Sequence, residues 1–245
     1  DETPWKESGL LLLLLLLLWL WALVTTHTVL FLIGPRSAEM LENALQDGFY
    51  GILISDGYGV YRAWKNRLRC WPHLMRKLRG LAESSDRRVS GVGKEMEGLM
   101  ETLMAAIYAA RIDPPPEGLP LRYAADIERL RHLCEAHRMD DHKGLRSVVR
   151  EFLYDWEVIL RPVAEPHLPL SNNAAEQALR HWVIARHISH GTRSEAGSRA
   201  FALLASVIET CRRRGASSWR YLGTVIAAAR KGLPLPPLPA IPAAA

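Results

Sequence analysis

No residue between Leu10 and Ile33 carries a formal charge, and this stretch restricts what the chain can fold into more than any other. It opens with leucines from Leu10 to Leu18, passes through Trp19-Leu20-Trp21 and is closed by Gly34-Pro35-Arg36. Its 24 residues match the length of a helical membrane span. Thr25, Thr26, His27 and Thr28 interrupt the run with a polar connection of hairpin size. On either side lie WLWALV and TVLFLI, rich in side chains that favour strands. Two buried strands and a membrane anchor are therefore the competing readings. A secretory signal is disfavoured, because the leader DETPWKE is acidic rather than basic.

The rest of the chain argues for a globular protein. With 245 residues, 49% of them hydrophobic, it is long enough for one large domain or for a core carrying an inserted subdomain. The net charge of +5 hides a gradient. Residues 1–60 hold two basic residues, Lys6 and Arg36, against seven acidic ones; residues 61–82 hold seven basic and no acidic residue; residues 180–214 hold seven arginines against two glutamates. Basic stripes beside an acidic region suit a protein that meets phosphates on its flanks and gathers a cation at its centre, although solvated helix faces give the same pattern. Three scattered cysteines, Cys70, Cys134 and Cys211, make no disulfide framework and point to a reducing compartment.

The chain opens at Asp1 without an initiating Met, so a fragment or a truncated reading frame is expected. Ser37 can cap a helix running to about Leu45 with Met40, Leu41 and Leu45 on one face. Residues 51–55, GILIS, read as a short, fully buried strand that ends at Asp56. A carboxylate at the end of a buried strand is where open α/β sheets place ligand-binding groups; Asp56-Gly57 is equally good turn chemistry. Tyr61 to Ala82 reads as a basic helical region containing Cys70-Trp71-Pro72-His73. Three helical patterns follow between about 94 and 162, the first ended by Pro114-Pro115-Pro116. With no β-rich run between Asp56 and Pro166, this block is expected to be an all-helical insertion in an α/β chain. The division expected is 1–85 for the first part of a core, 86–165 for the insertion, 166–232 for core-completing and C-terminal helices, and 233–245 for an extended or disordered proline-rich tail.

Ser171 to Thr210 completes the pattern. Ala175, Ala178, Leu179, Trp182 and Val183 recur at helical spacing as one buried stripe, and Glu176 lies off it. Asn173-x-x-Glu176 has capping-box spacing, so Glu176 is either a helix cap or a carboxylate held for another purpose. Further on, Phe201, Leu204, Val207, Ile208 and Cys211 predict a second amphipathic helix, and Trp219, Leu222, Val225 and Ile226 a third that closes near Gly232.

Five motifs in this order, DETPW (1–5), SDGYGVY (55–61), CWPHLMRKLRGLAE (70–83), SNNAAEQALR (171–180) and SEAGSRAFALLASVIETCRRRG (194–215), resemble the insertion-sequence sixty-six family of bacterial DDE transposases. The resemblance implies a ribonuclease-H-like α/β core, a mixed sheet flanked by helices. It also implies Asp1, Asp56 and Glu176 as the catalytic and metal-binding carboxylates, two Mg²⁺ ions, and DNA cleavage followed by strand transfer. Transposon ends and target DNA would be the partners, a homo-oligomer the active form, and the bacterial cytoplasm the location. Three convergent carboxylates suit Mg²⁺, which prefers hard oxygen ligands. Arg69, Arg76, Arg79, Arg186, Arg193 and Arg199 are candidates for phosphate contacts. Cys70-x-x-His73 resembles a short motif of several DDE families and is read as structural. With His132, Cys134 and His137 it can also be drawn as a zinc set, against core packing as the alternative. Two departures stand out: the strand and DNA-binding regions expected upstream of Asp1 are missing, so that Asp1 is expected to be frayed, and the leucine run replaces a more polar hairpin. The rival functions are a truncated relic that binds DNA without cleaving it, and a membrane-anchored protein.

Overall fold

In the computed structural model, which describes residues 1–7, 18–45 and 49–242, the uncharged stretch forms two strands of one sheet. β1 (Glu2–Trp5), β2 (Leu18–Val24) and β3 (Val29–Gly34) make an antiparallel sheet in that order, with Trp5 opposite Leu18 and Val24 opposite Val29. Thr25 N donates to Thr28 O at 2.9 Å, and Thr28 N to Thr25 Oγ1 at 3.1 Å, so the threonines close the hairpin themselves. The hairpin reading therefore holds for 18–34, and no helix among the described residues is long and apolar enough to cross a membrane. The leucine run before Leu18 lies outside the described residues. As expected, α1 (Ala38–Leu45) follows, with Ser37 Oγ accepting from Met40 N.

The chain is mixed α/β, with ten α-helices among the described residues, and it divides into two compact units: residues 1–46 with 173–245, and residues 47–172. In the first, alternation turns Trp5, Leu20, Ala22, Val29 and Phe31 to one face, where they pack against two later helices. Ala178, Leu179 and Trp182 come from α8 (Asn173–Ser189), and Ala202 and Ala205 from α9 (Glu195–Arg213). Trp5 and Phe201 lie 4.6 Å apart between centroids, and Trp182 meets Phe201 edge-on at 5.3 Å.

α9 departs from the expected stripe. Its buried positions are Ser198, Ala202, Ala205, Glu209, Thr210 and Cys211, whereas Leu204 is exposed. The cause is that β3 is an edge strand whose outward amides need partners. Phe31 N donates to Ser206 Oγ at 2.8 Å and Val29 N to Thr210 Oγ1 at 3.1 Å, so small residues and hydroxyls replace leucines at this contact. α10 (Ser218–Arg230) buries no residue, and Trp219 is exposed. The proline-rich segment up to Pro242 has no regular structure yet is tied down, with Tyr221 Oη donating to Pro236 O at 3.2 Å and Arg214 Nη1 to Pro239 O at 2.6 Å.

The second unit is helical around a two-stranded parallel sheet, β4 (Leu53–Ser55) and β5 (Arg67–Arg69). It contains α2 (Trp71–Ala82), α3 (Arg87–Ala110), α4 (Leu119–Arg122), α5 (Ala124–Ala136), α6 (Lys143–Tyr154) and α7 (Trp156–Ala164). Trp71, Leu78, Met96, Leu103, Val149 and Phe152 are among its core side chains. The helical block read as an insertion over 86–165 lies wholly inside this unit, which also takes in 47–85.

Three expectations change here. The basic region is not all helix, because Arg67–Arg69 forms β5. The strand ending at Asp56 is shorter than expected, and of its residues only Ser55 is buried. The third helical pattern breaks at Asp155 into α6 and α7. Charge explains the first and third. Asp155 is 2% exposed, and its carboxylate accepts from Arg67 Nη2 at 2.7 Å and from Arg69, so the chain turns there to bury an acid against two strand arginines.

A second ionic knot joins α3 to the α5–α6 connection. Asp140 accepts from both Arg88 Nη atoms, lies 2.9 Å from His137 Nδ1, and takes the His142 amide at 2.8 Å. The Arg88 guanidinium above all, with the His137 and His142 bonds, holds its carboxyl well below the usual carboxylate range. A depressed folded pKa means that the unfolded chain takes up the proton first as pH falls. The stabilisation is therefore complete above the ordinary Asp pKa of about 4 and is lost progressively below it. Asp140→Asn is expected to lower the urea midpoint at pH 7, and its difference from the parent should shrink steadily from pH 4 to pH 2.5.

Candidate active site

The strand and helix that carry the first and last motif acids face each other. Residues 1, 3 and 5 share a side of β1 by alternation. Trp5 on that side enters the core under α8 and α9, and Thr3 Oγ1 accepts from Arg186 Nη1 of α8 at 3.2 Å. Asp1 therefore points to the α8 side, and with Glu176 it lines a 330 Å³ cavity whose walls include Thr3, Leu179, Arg180 and Val183. Glu2 also borders this cavity, although alternation turns its side chain to the opposite side of β1. Its carboxylate, 1% exposed, is gripped by Arg36 Nε at 2.9 Å and Nη2 at 2.7 Å, and that guanidinium stacks 4.2 Å over the Trp19 ring. Of the two adjacent acids on the cavity, Glu2 commits its carboxylate to Arg36.

Asp1 is not frayed. Its nitrogen donates to Ala22 O at 3.1 Å and its carbonyl accepts from Ala22 N at 2.8 Å, so it occupies a ladder position beside β2. The far end of β1 is clasped as well. Trp5 Nε1 donates to Thr192 Oγ1 at 3.0 Å, Thr192 meets Ser198 Oγ at 2.6 Å, and Ser198 donates to Glu7 at 2.5 Å. Between α8 and α9, His190 and Gly191 both adopt positive φ, and a Cβ on Gly191 would run into the Lys6 carbonyl.

Glu176 falls on the fourth residue of α8, one place past the capping-box position, since the helix already includes Asn173. Ala175, Ala178, Leu179 and Trp182 are buried as the stripe predicts, and they fix the face on which Glu176 stands.

Asp56 belongs to the second unit and follows β4 directly. Its Oδ1 accepts from Tyr58 N at 2.8 Å, so the turn chemistry legible in Asp-Gly is real. A Cβ on Gly57 would lie 2.6 Å from Glu151 Oε1 and 2.7 Å from Arg69 Nη2, and the turn thus rests directly on an ionic cluster. Burial pushes the Glu151 carboxyl up, but hydrogen bonds from Lys77 and Arg69 outweigh it and hold the group below its ordinary value.

That cluster corrects one expected phosphate contact. Arg69 is 1% exposed and committed to Asp155 and Glu151, so it is a structural cation. Arg186 spends its guanidinium on Thr3 Oγ1 and Pro4 O, and Arg79 pairs with Glu97 at 3.1 Å. Arg76, Arg193 and Arg199 stand exposed. Cys70 is buried at the start of α2, and burial pushes the Cys134 thiol up to about 12, which keeps it a protonated core group rather than a thiolate ligand. Among the described residues no three His, Cys, Asp or Glu side chains are grouped to hold a metal ion. What the first unit does supply is Asp1 and Glu176 on one cavity, beside Arg180 and the Arg36-bound Glu2; carboxylate oxygens are the donors Mg²⁺ takes.

Comparison with known proteins gives the class. A family model described as Transposase IS66 family matches residues 1–200, and the chain belongs to that family. It is 30% identical over 172 residues to the uncharacterized protein y4jO of Sinorhizobium fredii, a match covering 70% of this chain and 51% of that protein. It is also 23% identical over 210 residues to the uncharacterized protein y4qI of the same organism, covering 76% of this chain and 37% of that one. The chain thus spans about half, or less, of the length of these relatives. No solved structure matches it significantly.

Proposed function

We propose that this chain is the catalytic region of a DDE transposase with a ribonuclease-H-like core. In this reading the intact protein cleaves DNA at the ends of an insertion sequence and joins them to target DNA in the bacterial cytoplasm. The observation that carries the reading is that Asp1 and Glu176, 175 residues apart within the family match, line one cavity. Asp56, at the end of a strand and held in a turn, is the third member by motif.

Asp1, Asp56 and Glu176 would hold two Mg²⁺ ions, which when bound stabilise the attacking and leaving oxygens of an in-line displacement. β1 and α8 fix two of the carboxylates through the Trp5 and Trp182 core, so the donors are set before DNA arrives. Water attacks phosphorus at the transposon end, the P–O3′ bond breaks, and a 3′-hydroxyl is released. That hydroxyl then attacks a target phosphorus and displaces the target's own 3′-oxygen, so no outside energy source is needed. Exposed Arg76, Arg193 and Arg199 are the remaining phosphate contacts from the sequence reading.

The test uses the intact parent protein with matched terminal repeats. Nicking and strand transfer should appear on titration with Mg²⁺ and vanish in EDTA. Salt-sensitive DNA binding with no metal-dependent nicking would instead identify a relic that binds without cutting.

A further inference from the structure

We propose that a second basic cavity, between α6 and the turn after Asp56, binds the phosphodiester backbone of double-stranded DNA. This rests on the reading of the protein as one that acts on DNA. The cavity measures 470 Å³ and lies wholly within the second unit, with Arg62, Lys143, Arg146, Arg150 and Tyr154 in its walls. Lys143, Arg146 and Arg150 recur at three and four residues, so α6 sends them out along one face.

Their pairing separates them from three other surface arginines of this unit. Arg129, Arg131 and Arg161 each meet a glutamate, at 2.6, 3.0 and 2.8 Å. Arg146 instead donates to the carbonyls of Asp140 at 2.5 Å and Asp141 at 3.3 Å, and Arg150 to the carbonyl of Arg138 at 2.9 Å. Carbonyls orient a guanidinium without cancelling its charge. Arg62 reaches Asp155 only at 3.7 Å, behind Arg67 and Arg69, and its Nε is buried without a partner. It stacks 4.2 Å over the Tyr154 ring, which keeps it extended. The one acid in the wall, Glu151, is already met by Lys77 at 2.7 Å and by Arg69. Lys143 also stands in the first turn of α6, which has no acidic residue, where the helix dipole is itself positive. An incoming phosphate offsets both charges. Four cations around one cavity, of which Arg146 and Arg150 are oriented by carbonyls and Arg62 by the Tyr154 ring, fit phosphodiesters read without regard to sequence.

Anisotropy of a labelled duplex of about 25 base pairs and arbitrary sequence, titrated with the full-length protein in EDTA over a range of KCl, reads the number of phosphate contacts. R146Q/R150Q is expected to make the slope of log affinity against log salt shallower by about two, and K143Q by about one. R146K/R150K should restore most of it. R129Q/R131Q, which removes arginines held by glutamates, should leave the slope unchanged. K143Q keeps the test decisive if the arginine pair disturbs folding, because the Lys143 side chain makes no hydrogen bond or ion pair among the described residues. Unchanged slopes in R146Q/R150Q and K143Q, an equal change in R129Q/R131Q, or tighter binding of duplex RNA of the same sequence would overturn the assignment. Since no metal is present, a failure of cleavage would leave this result standing, and a failure here would leave cleavage untouched.

Discussion

Full-length protein carrying Glu176→Gln is expected to lose strand transfer by about a thousandfold or more while its melting temperature and DNA affinity stay unchanged. Glutamine keeps the size and the hydrogen-bonding reach of the side chain and removes only the charge. The α8 face that fixes it, Ala178, Leu179 and Trp182, is untouched, so the fold has no reason to respond. A metal held by oxygen donors does respond, since a neutral amide is a far poorer ligand for a hard dication than a carboxylate. Partial rescue by Mn²⁺ should accompany the loss, because Mg²⁺ demands a near-ideal octahedron of oxygen donors and Mn²⁺ is less strict in ligand type and geometry. Asp1→Asn should behave alike, since Asp1 lines the same cavity. Glu2→Gln should not: it costs the buried pair with Arg36, and it is read out in stability rather than in metal dependence. A Glu176→Gln protein that transfers strands at the parent rate would remove Glu176 from the site.

The largest stability effect is expected at Asp155. Its side chain is 1% exposed and serves Arg67 and Arg69, themselves 8% and 1% exposed. Alanine at this position strands two buried guanidiniums with Glu151 as the remaining nearby acid, and removing one partner of such a pair costs about 3–5 kcal/mol. Urea unfolding should show a midpoint lowered in proportion, or a helical unit already open in buffer. Asp155→Leu combined with Arg69→Met should recover much of the loss, because a packed apolar pair avoids the desolvation that the ions demand. No recovery would mean that Asp155 acts through the α6–α7 turn it occupies rather than through charge.

Periodicity made the first unit legible. WLWALV, TVLFLI and the Ala175 to Trp182 stripe fold as their spacing says, because each presents one apolar face to one core. What escaped is where polar groups decide the structure. Arg67-Leu68-Arg69 looks like a basic helical segment, and nothing local announces that an acid 86 residues later will bury Arg69 in a strand. Asp155 looks like an ordinary helical acid until its two partners are known. α9 hides its contact face for a similar reason, since the hydroxyls of Ser206 and Thr210 are needed by β3 amides that only the assembled sheet leaves open. Of the site, the motif acids were legible by resemblance, and alternation along β1 then explains why Glu2, which borders the same cavity as Asp1, gives its carboxylate to Arg36. The basic face of α6 carried its own signal, three cations at helical spacing, but solvated helices show the same spacing. Only the carbonyl partners of Arg146 and Arg150 separate the two.

The discontinuity of the first unit has a consequence for synthesis. The bond from Phe31 N to Ser206 Oγ spans 175 residues, and α8 and α9 lie on the far side of the helical unit in the chain. At about 5–20 residues per second, a ribosome leaves the apolar face of the nascent sheet uncovered for roughly 9–35 seconds. The contiguous helical unit can fold within that time, while Trp5, Leu20 and Phe31 wait for their cover with an open strand edge beside them. Ribosome-bound chains stopped between residues 46 and 172 should therefore be the species that chaperones hold, and release should coincide with the emergence of α9.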